Sequence, residues 1–140
     1  MLECAMRPVT PSLTVDGIVR NREGKFLLIR RKNPPFQGQW ALPGGFVDVG
    51  ETVEAACARE LKEETGLMVT VQRLTGVYSD PRRDPRGHTV GIVFACACGD
   101  ENAVGGDDAL EARWLTIEEA RPLAFDHERI LEDFLNDGKA

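Results

Sequence analysis

The chain has 140 residues, of which 42% are hydrophobic and 29% are charged, and its 17 basic and 23 acidic residues give a net charge of −6. These values are typical of one soluble globular domain spanning residues 1–140. The acidic balance argues against a nucleic-acid-binding protein, and the lack of an apolar run of about 18 residues argues against a membrane span. No signal-peptide pattern or CxxC pair occurs, so we expect a cytoplasmic protein with reduced thiols.

Strands dominate the predicted first part of the chain, after an entry arm of residues 1–11. The segments with strand-forming composition are residues 13–20, 25–31, 40–42 and 46–49. A short turn that ends in Gly24 joins the first two segments, which predicts a hairpin. A helix over residues 52–65 follows, with Thr52 as its N-cap and Gly66 as its C-terminal stop.

The second half of the chain alternates strands with short helices. Extended segments are predicted over residues 68–71, 74–77, 90–98 and 112–115, with loops at 78–87 and 99–108. Thr116 and Glu119 form a capping box for a short helix, and Asp126 is predicted to cap the last helix. His127, at the start of that helix, is interpreted as a surface residue with no function. This alternation predicts an α/β fold with helices on both faces of a sheet.

Two carboxylates stand on the apolar stripe of the helix predicted over residues 52–65. At 100° per residue, Glu60 and Glu64 lie within about 20° of Val53, where a packing helix would carry Leu or Ile. Repulsion between neighbouring carboxylates, and repulsion from the negative end of the helix dipole, both raise the free energy of charged glutamates at these positions. A hard divalent cation would offset those costs, so we interpret this face as a site for Mg²⁺ or Mn²⁺ rather than a solvated acidic face.

The 23 residues from Gly45 to Leu67 have a distinctive spacing of glycine, arginine and glutamate. The segment contains Gly45, five residues, Glu51, seven residues, and then Arg59-Glu60-Leu61-Lys62-Glu63-Glu64-Thr65-Gly66-Leu67. This pattern resembles, without a mismatch, the signature of the Nudix hydrolases, which hydrolyse a nucleoside diphosphate linked to another group. The resemblance implies the Nudix fold, an α/β/α sandwich in which a mixed β-sheet lies between α-helices.

The resemblance also implies roles for individual residues. The implied metal ligands are Glu60 and Glu64, with Glu63, Glu51 and the carbonyl of Gly44 as additional ligands. Arg59 would brace these carboxylates. The general base differs across the family, and Glu64, Glu63 and Glu111 are the candidates in this chain. Glu111 is interpreted either as a late-loop ligand or base, or as a surface residue beside a strand.

The loop after residue 77 indicates the substrate. Pro81 lies 15 residues beyond Gly66, which resembles the ADP-ribose pyrophosphatase branch and implies hydrolysis of ADP-ribose to AMP and ribose 5-phosphate. The residues predicted to bind phosphate are Arg31, Arg82, Arg83, Arg86 and His88, and those predicted to stack on adenine are Phe36 and Trp40. Alternatively, the arginine-rich loop is a solvated hairpin tip, Arg31 protects a strand edge and the two aromatic side chains serve packing.

Two other functions stay open. One is a mutator-type nucleoside triphosphate pyrophosphohydrolase, which releases pyrophosphate, and the other is a sensor that binds ADP-ribose without cleaving it. The complete set of four glutamates in the signature favours an enzyme over a sensor. The expected partner is a small-molecule nucleotide, with no nucleic acid or membrane partner, and the family resemblance implies a homodimer.

Overall fold

The computed structural model describes residues 7–104 and 111–137, so part of the predicted arm and of the 99–108 loop lies outside the described residues. The elements in chain order are β1 (Ser12–Val19), β2 (Phe26–Arg30), β3 (Trp40–Ala41), β4 (Gly44–Phe46), α1 (Val53–Thr65), β5 (Val69–Tyr78), β6 (Thr89–Cys98), β7 (Ala112–Leu115), α2 (Ile117–Ala120) and α3 (His127–Asp137). A 3-10 turn, Glu101–Ala103, lies between β6 and β7. None of the described helices is long and apolar enough to cross a membrane.

The strands form two sheets. The first has the order β4-β1-β6-β5 and is mixed, because β1 runs parallel to β6 and antiparallel to β4. The second, β3-β2-β7, is antiparallel. Helix α1 packs on one face of β1, against Val15 and Val19, whereas α3 lies on the other face, near Ile18. The first sheet therefore lies between helices, as the predicted sandwich requires.

The predicted turn joins β1 to β2, but the predicted hairpin does not extend beyond this turn, because the two strands belong to different sheets. The turn is closed by the Gly24 amide, which donates to the Asn21 carbonyl at 3.0 Å. Among the described residues, one isolated bridge, between Arg20 and Phe26, then connects the two strands. Residues 15–19 are buried, and a strand buried on both faces belongs inside a sheet, where β1 lies between β4 and β6.

Helix α1 has the boundaries that its caps predict. The Thr52 side chain accepts a hydrogen bond from the Ala55 amide at 3.1 Å, and Gly66 closes the helix with φ of 78°. The predicted segments 68–71 and 74–77 form one strand, β5, which is interrupted by two register shifts. The buried stripe of α1 packs on the first sheet, and this places the C-terminal half of the helix beside β4.

Candidate active site

A cleft of about 370 Å³ opens between α1, β4 and the segment that precedes α3. Carboxylates from α1 and β1 line one part of it, and arginines from the residue after β2 and from the loop before β6 line another. The titratable residues that line the cleft are Asp16, Arg31, Asp48, Glu60, Glu64, Arg83, Asp84, Arg86 and His127. Groups of both charges that lie far apart in the chain therefore face one volume.

The two glutamates on the apolar stripe of α1 reach this cleft. Glu64 accepts a hydrogen bond from the Gly44 amide at 2.6 Å, and burial raises the pKa of its carboxyl to about 8. Burial also raises the pKa of Glu60, whose side chain is 15% exposed. Glu60 lies so close to β4 that a side chain at Gly45 would come within 2.6 Å of its carboxyl carbon. Glycine at this position lets the helix bring its carboxylate against the strand.

Arg59 holds the acidic residues around the cleft. Its Nε and Nη2 donate to the two carboxylate oxygens of Glu51 at 2.9 and 2.6 Å. Its Nη1 donates to Glu60 at 2.9 Å and to Glu63 at 3.2 Å. The hydrogen bonds from Arg59 lower the pKa of Glu51 to about 2. One guanidinium therefore holds three carboxylates of the signature in place.

The donor set has the chemistry that a hard divalent cation takes. Among residues 7–104 and 111–137, no three acidic, histidine or cysteine side chains converge closely enough to hold a metal ion as they stand. Glu51 and Glu63 are hydrogen-bonded to Arg59 instead. Glu60 and Glu64 nevertheless face the cleft. In addition to burial, the negative charge of Glu60 raises the pKa of both Glu64 and Asp16. Cation binding would remove this repulsion, so these residues fit a divalent metal.

Two arginines form the basic wall of the cleft. Arg31 donates from Nε to the Pro35 carbonyl at 2.6 Å. Arg86 donates from Nε and Nη2 to the carboxylate of Asp84, at 3.1 and 2.8 Å. The Arg86 guanidinium also lies 5.6 Å from the ring centre of Phe46. Each guanidinium is thus fixed on one edge while the rest of the group lies along the cleft.

Arg83 also lines the cleft, and its guanidinium nitrogens donate hydrogen bonds to other side chains of the protein. Its side chain is 6% exposed and donates from Nε and Nη2 to both oxygens of Asp126, at 2.9 Å each. Nη1 donates to the Thr89 hydroxyl at 2.9 Å. The Asp126 side chain, predicted as a helix cap, instead binds this guanidinium. Arg83 therefore ties the loop before β6 to the start of α3.

The remaining predicted site residues do not line the cleft. Arg82 pairs with Asp80 and is 90% exposed, and the His88 ring lies 3.0 Å from the Ser79 carbonyl oxygen at the surface. Glu63 is held by Arg59 with its side chain 54% exposed.

Glu111, Phe36 and Trp40 make contacts elsewhere in the fold. The Glu111 carboxylate lies 3.5 Å from both Arg30 and Arg113. Trp40 packs against the core beneath the same two arginines. Phe36 packs edge to face on Phe125. Glu111 and Trp40 therefore make their contacts outside the cleft, whereas Phe36 packs behind Phe125, a residue that lines it.

Three of the lining residues that the sequence interpretation missed are charged or aromatic groups, namely His127, Asp16 and Phe125. His127 is 5% exposed, so the prediction of a surface residue is wrong: its Nδ1 accepts a hydrogen bond from the Leu42 amide at 2.9 Å. Burial lowers the pKa of His127 to about 4 and raises that of Asp16, 3.7 Å away, to about 7. Asp16 carries a detectable signal, because it is the one charged residue within an apolar strand.

Comparisons with known proteins agree with this geometry. The family model of the NUDIX domain matches residues 10–134. An ADP-ribose pyrophosphatase from Methanocaldococcus jannaschii is 53% identical over 125 residues, which cover 89% of this chain and 73% of that protein. A MutT-like protein from Streptomyces ambofaciens is 37% identical over 115 residues, covering 82% and 70%. The solved NUDIX domain of Shewanella oneidensis NrtR, complexed with ADP ribose, superposes with a TM-score of 0.80 at 26% identity and covers 97% of this chain and 96% of that one. The chain therefore belongs to the Nudix hydrolase family and has the α/β/α sandwich that its signature predicts.

Proposed function

We propose that this chain hydrolyses ADP-ribose to AMP and ribose 5-phosphate, with Mg²⁺ as cofactor and Mn²⁺ as a substitute. The observation that carries the proposal is the distribution of charge in the cleft, with Glu60 and Glu64 on one wall and Arg31 and Arg86 on another. A pyrophosphate between two ribose groups needs positive charge at both phosphates. The 53% identity to the M. jannaschii ADP-ribose pyrophosphatase supports this substrate.

Glu60 and Glu64 would hold the cation, with Arg59 keeping the surrounding carboxylates in position. When bound, such a cation would neutralise the pyrophosphate and lower the pKa of an attacking water. Among the three candidate bases, Glu64 lines the cleft, whereas Glu63 and Glu111 do not. We therefore assign to Glu64 the acceptance of the water proton, while its hydrogen bond from Gly44 fixes the direction of the carboxylate.

Arg31 and Arg86 would bind the phosphate that lies away from the carboxylates. Their guanidinium planes match the oxygens of a phosphate group, and both side chains line the cleft. Each product of the proposed reaction carries one phosphate.

A second candidate is the hydrolysis of nucleoside triphosphates with release of pyrophosphate. The 37% identity to a MutT-like protein favours this reaction. Both substrates contain a pyrophosphate, so the two charged walls suit either of them. The difference lies in the second group attached to the diphosphate, which is a ribose in ADP-ribose and a phosphate in a triphosphate.

A product assay separates these functions. Purified protein is incubated with ADP-ribose, NADH, ATP or dGTP, each with Mg²⁺, with Mn²⁺ and with chelator, and products are separated by ion-exchange chromatography. We expect AMP and ribose 5-phosphate from ADP-ribose with either metal, and none with chelator. Pyrophosphate released from a triphosphate as the main product would establish the second candidate. Binding of ADP-ribose without hydrolysis of any substrate would indicate a sensor.

We also propose that the chain forms a homodimer in the cytoplasm. Strand β5 lies at the edge of the first sheet among the described residues and exposes Leu74 and Val77, each more than half accessible, which supports association between copies. The free thiols of Cys57, Cys96 and Cys98 support a reducing compartment. Light scattering after size-exclusion chromatography tests this proposal. We expect it to give the mass of two chains. A mass of one chain at micromolar concentration would refute it.

A further inference from the structure

Two guanidinium groups of the cleft lie over the same aromatic ring. The guanidinium carbon of Arg31 is 4.9 Å from the ring centre of Phe125, and that of Arg86 is 5.6 Å from it. Arg31 follows β2, whereas Arg86 lies in the loop before β6. An aromatic face attracts a guanidinium within about 6 Å of its centre. Phe125 therefore joins the two halves of the basic wall, although neither arginine is near it in sequence.

Phe125 is itself rigidly placed. Its ring packs edge to face on Phe36, with ring centres 4.9 Å apart, and lies 5.3 Å from the His127 ring. Its backbone has φ of 54°, a left-handed conformation that bulky residues rarely adopt. Such a conformation persists when surrounding contacts over-determine it. Packing against the buried side chains of Ile29 and Ala41 provides these contacts.

The two guanidinium groups keep donors that the protein does not use. Arg86 gives two of its five N–H groups to Asp84, and Arg31 gives one to the Pro35 carbonyl. Within residues 7–104 and 111–137, no acceptor takes the remaining N–H groups of either side chain. Arg31 is thus anchored by one edge and by the Phe125 ring, and Arg86 by one edge and by the rings of Phe125 and Phe46. Both side chains keep other donors available to an anion in the cleft.

We propose that Phe125 is a positioning residue that sets Arg31 and Arg86 at a fixed spacing to bind one phosphate of the substrate. The inference rests on the proposed function for the identity of the substrate. The anion site itself is defined by the positions of Arg31, Arg86 and Phe125. Phe125 does not contact the scissile bond in this account. It acts by reducing the freedom that two long side chains would lose on binding.

The test compares three variants with the parent protein. Phe125→Leu removes the ring but keeps an apolar side chain against the core, and Phe125→Tyr keeps the ring. Phe134→Leu is the matched control, because the Phe134 ring also lies under an arginine, Arg73 at 5.7 Å, outside the cleft. Circular dichroism confirms folding of each variant. Binding of inorganic pyrophosphate is measured by calorimetry in chelator, and hydrolysis of ADP-ribose is measured with Mg²⁺.

We expect Phe125→Leu to raise the Kd for pyrophosphate about tenfold, equivalent to ~1.4 kcal/mol. The KM for ADP-ribose should rise by a similar factor, with kcat within about twofold of the parent, because bond cleavage depends on the other wall. Phe125→Tyr and Phe134→Leu should stay close to the parent in both measurements. A split of this kind between KM and kcat, restored by Tyr, is what a positioning role requires.

Several results would overturn the inference. These are a parent protein that binds no pyrophosphate, a Phe125→Leu variant that binds it as tightly as the parent, or a Phe134→Leu variant that weakens binding equally. A Tyr variant as weak as the Leu variant would do the same. If Phe125→Leu weakens pyrophosphate binding but the parent does not hydrolyse ADP-ribose, the proposed function fails while the inference stands.

Discussion

Replacing Glu64 by Gln tests two effects of the buried carboxylate separately: its effect on the free energy of unfolding and its proposed role in hydrolysis. The substitution keeps the shape of the side chain and an oxygen that can accept the hydrogen bond from Gly44, which spans 2.6 Å. It removes the charge. The carboxyl has an ordinary pKa of 4.5 and a folded pKa of about 8. The unfolded chain therefore releases this proton at lower pH than the folded protein does.

The size of the effect follows from this difference in pKa. A group whose pKa is raised in the folded state stabilises the fold fully below pH 4.5, and that contribution is lost as the pH rises towards 8. Each pH unit in this window costs about 1.4 kcal/mol, so the ionisable Glu64 lowers the free energy of unfolding by up to about 3 kcal/mol at pH 7. In chelator, Glu64→Gln should be more stable than the parent by up to this amount, and the two should converge near pH 4.5.

Urea unfolding in chelator at pH 4.5, 6 and 7 measures this difference. The control is Glu54→Gln on the exposed face of the same helix, which should change stability by less than about 1 kcal/mol. Added Mg²⁺ should raise the melting temperature of the parent more than that of Glu64→Gln, because the cation binds the folded parent. The variant should lose at least about 100-fold in kcat, since changes in groups that support a metal ligand already cost 10- to 100-fold.

Two outcomes would refute the reasoning about this carboxylate. If Glu64→Gln hydrolyses substrate as fast as the parent, the assignment of Glu64 to the metal and the water proton is wrong. If the variant gains no stability over the parent between pH 4.5 and pH 7 in chelator, Glu64 is not a destabilising charge in the folded protein.

Other residues of the site give further predictions. Arg59→Lys should lower kcat/KM about tenfold in steady-state assays with little change in melting temperature, because an ammonium cannot donate to both Glu51 oxygens. Arg83→Met should lower the free energy of unfolding by about 3–5 kcal/mol in urea titrations, since it leaves a carboxylate without its buried partner. The ring protons of His127 should titrate near pH 4 by NMR, and stability should fall as the pH drops from 6.5 towards 4, because the unfolded chain takes up this proton first.

Helix α1 and its acidic face could be predicted because they depend on local geometry. The caps at Thr52 and Gly66 and the 3.6-residue period fix where the helix begins and ends and which residues share a face. This was sufficient to place Glu60 and Glu64 on the buried side of the helix. The charge that faces them across the cleft could not be derived in the same way.

The pairing of β1 illustrates where local patterns fail. A turn and two apolar segments predict a hairpin, yet β1 pairs with β4 and β6. The competition between these partners is decided by burial of both faces of β1, which depends on segments far along the chain. The same holds for β2, which leaves the turn to join a separate sheet with β7.

The sequence by itself determined the family signature, helix α1 and the carboxylates on its inner face, since each depends on residues close together in the chain. The tertiary structure alone decided which arginines reach the cleft. Arg83 lines the cleft and pairs with Asp126, 43 residues away, a contact that no local pattern predicts. The tertiary structure also decided the burial of His127 and the position of Phe125 under two arginines. These contacts depend on packing between segments that are distant in the chain, and no periodic pattern in the sequence indicates which distant segments will pack together.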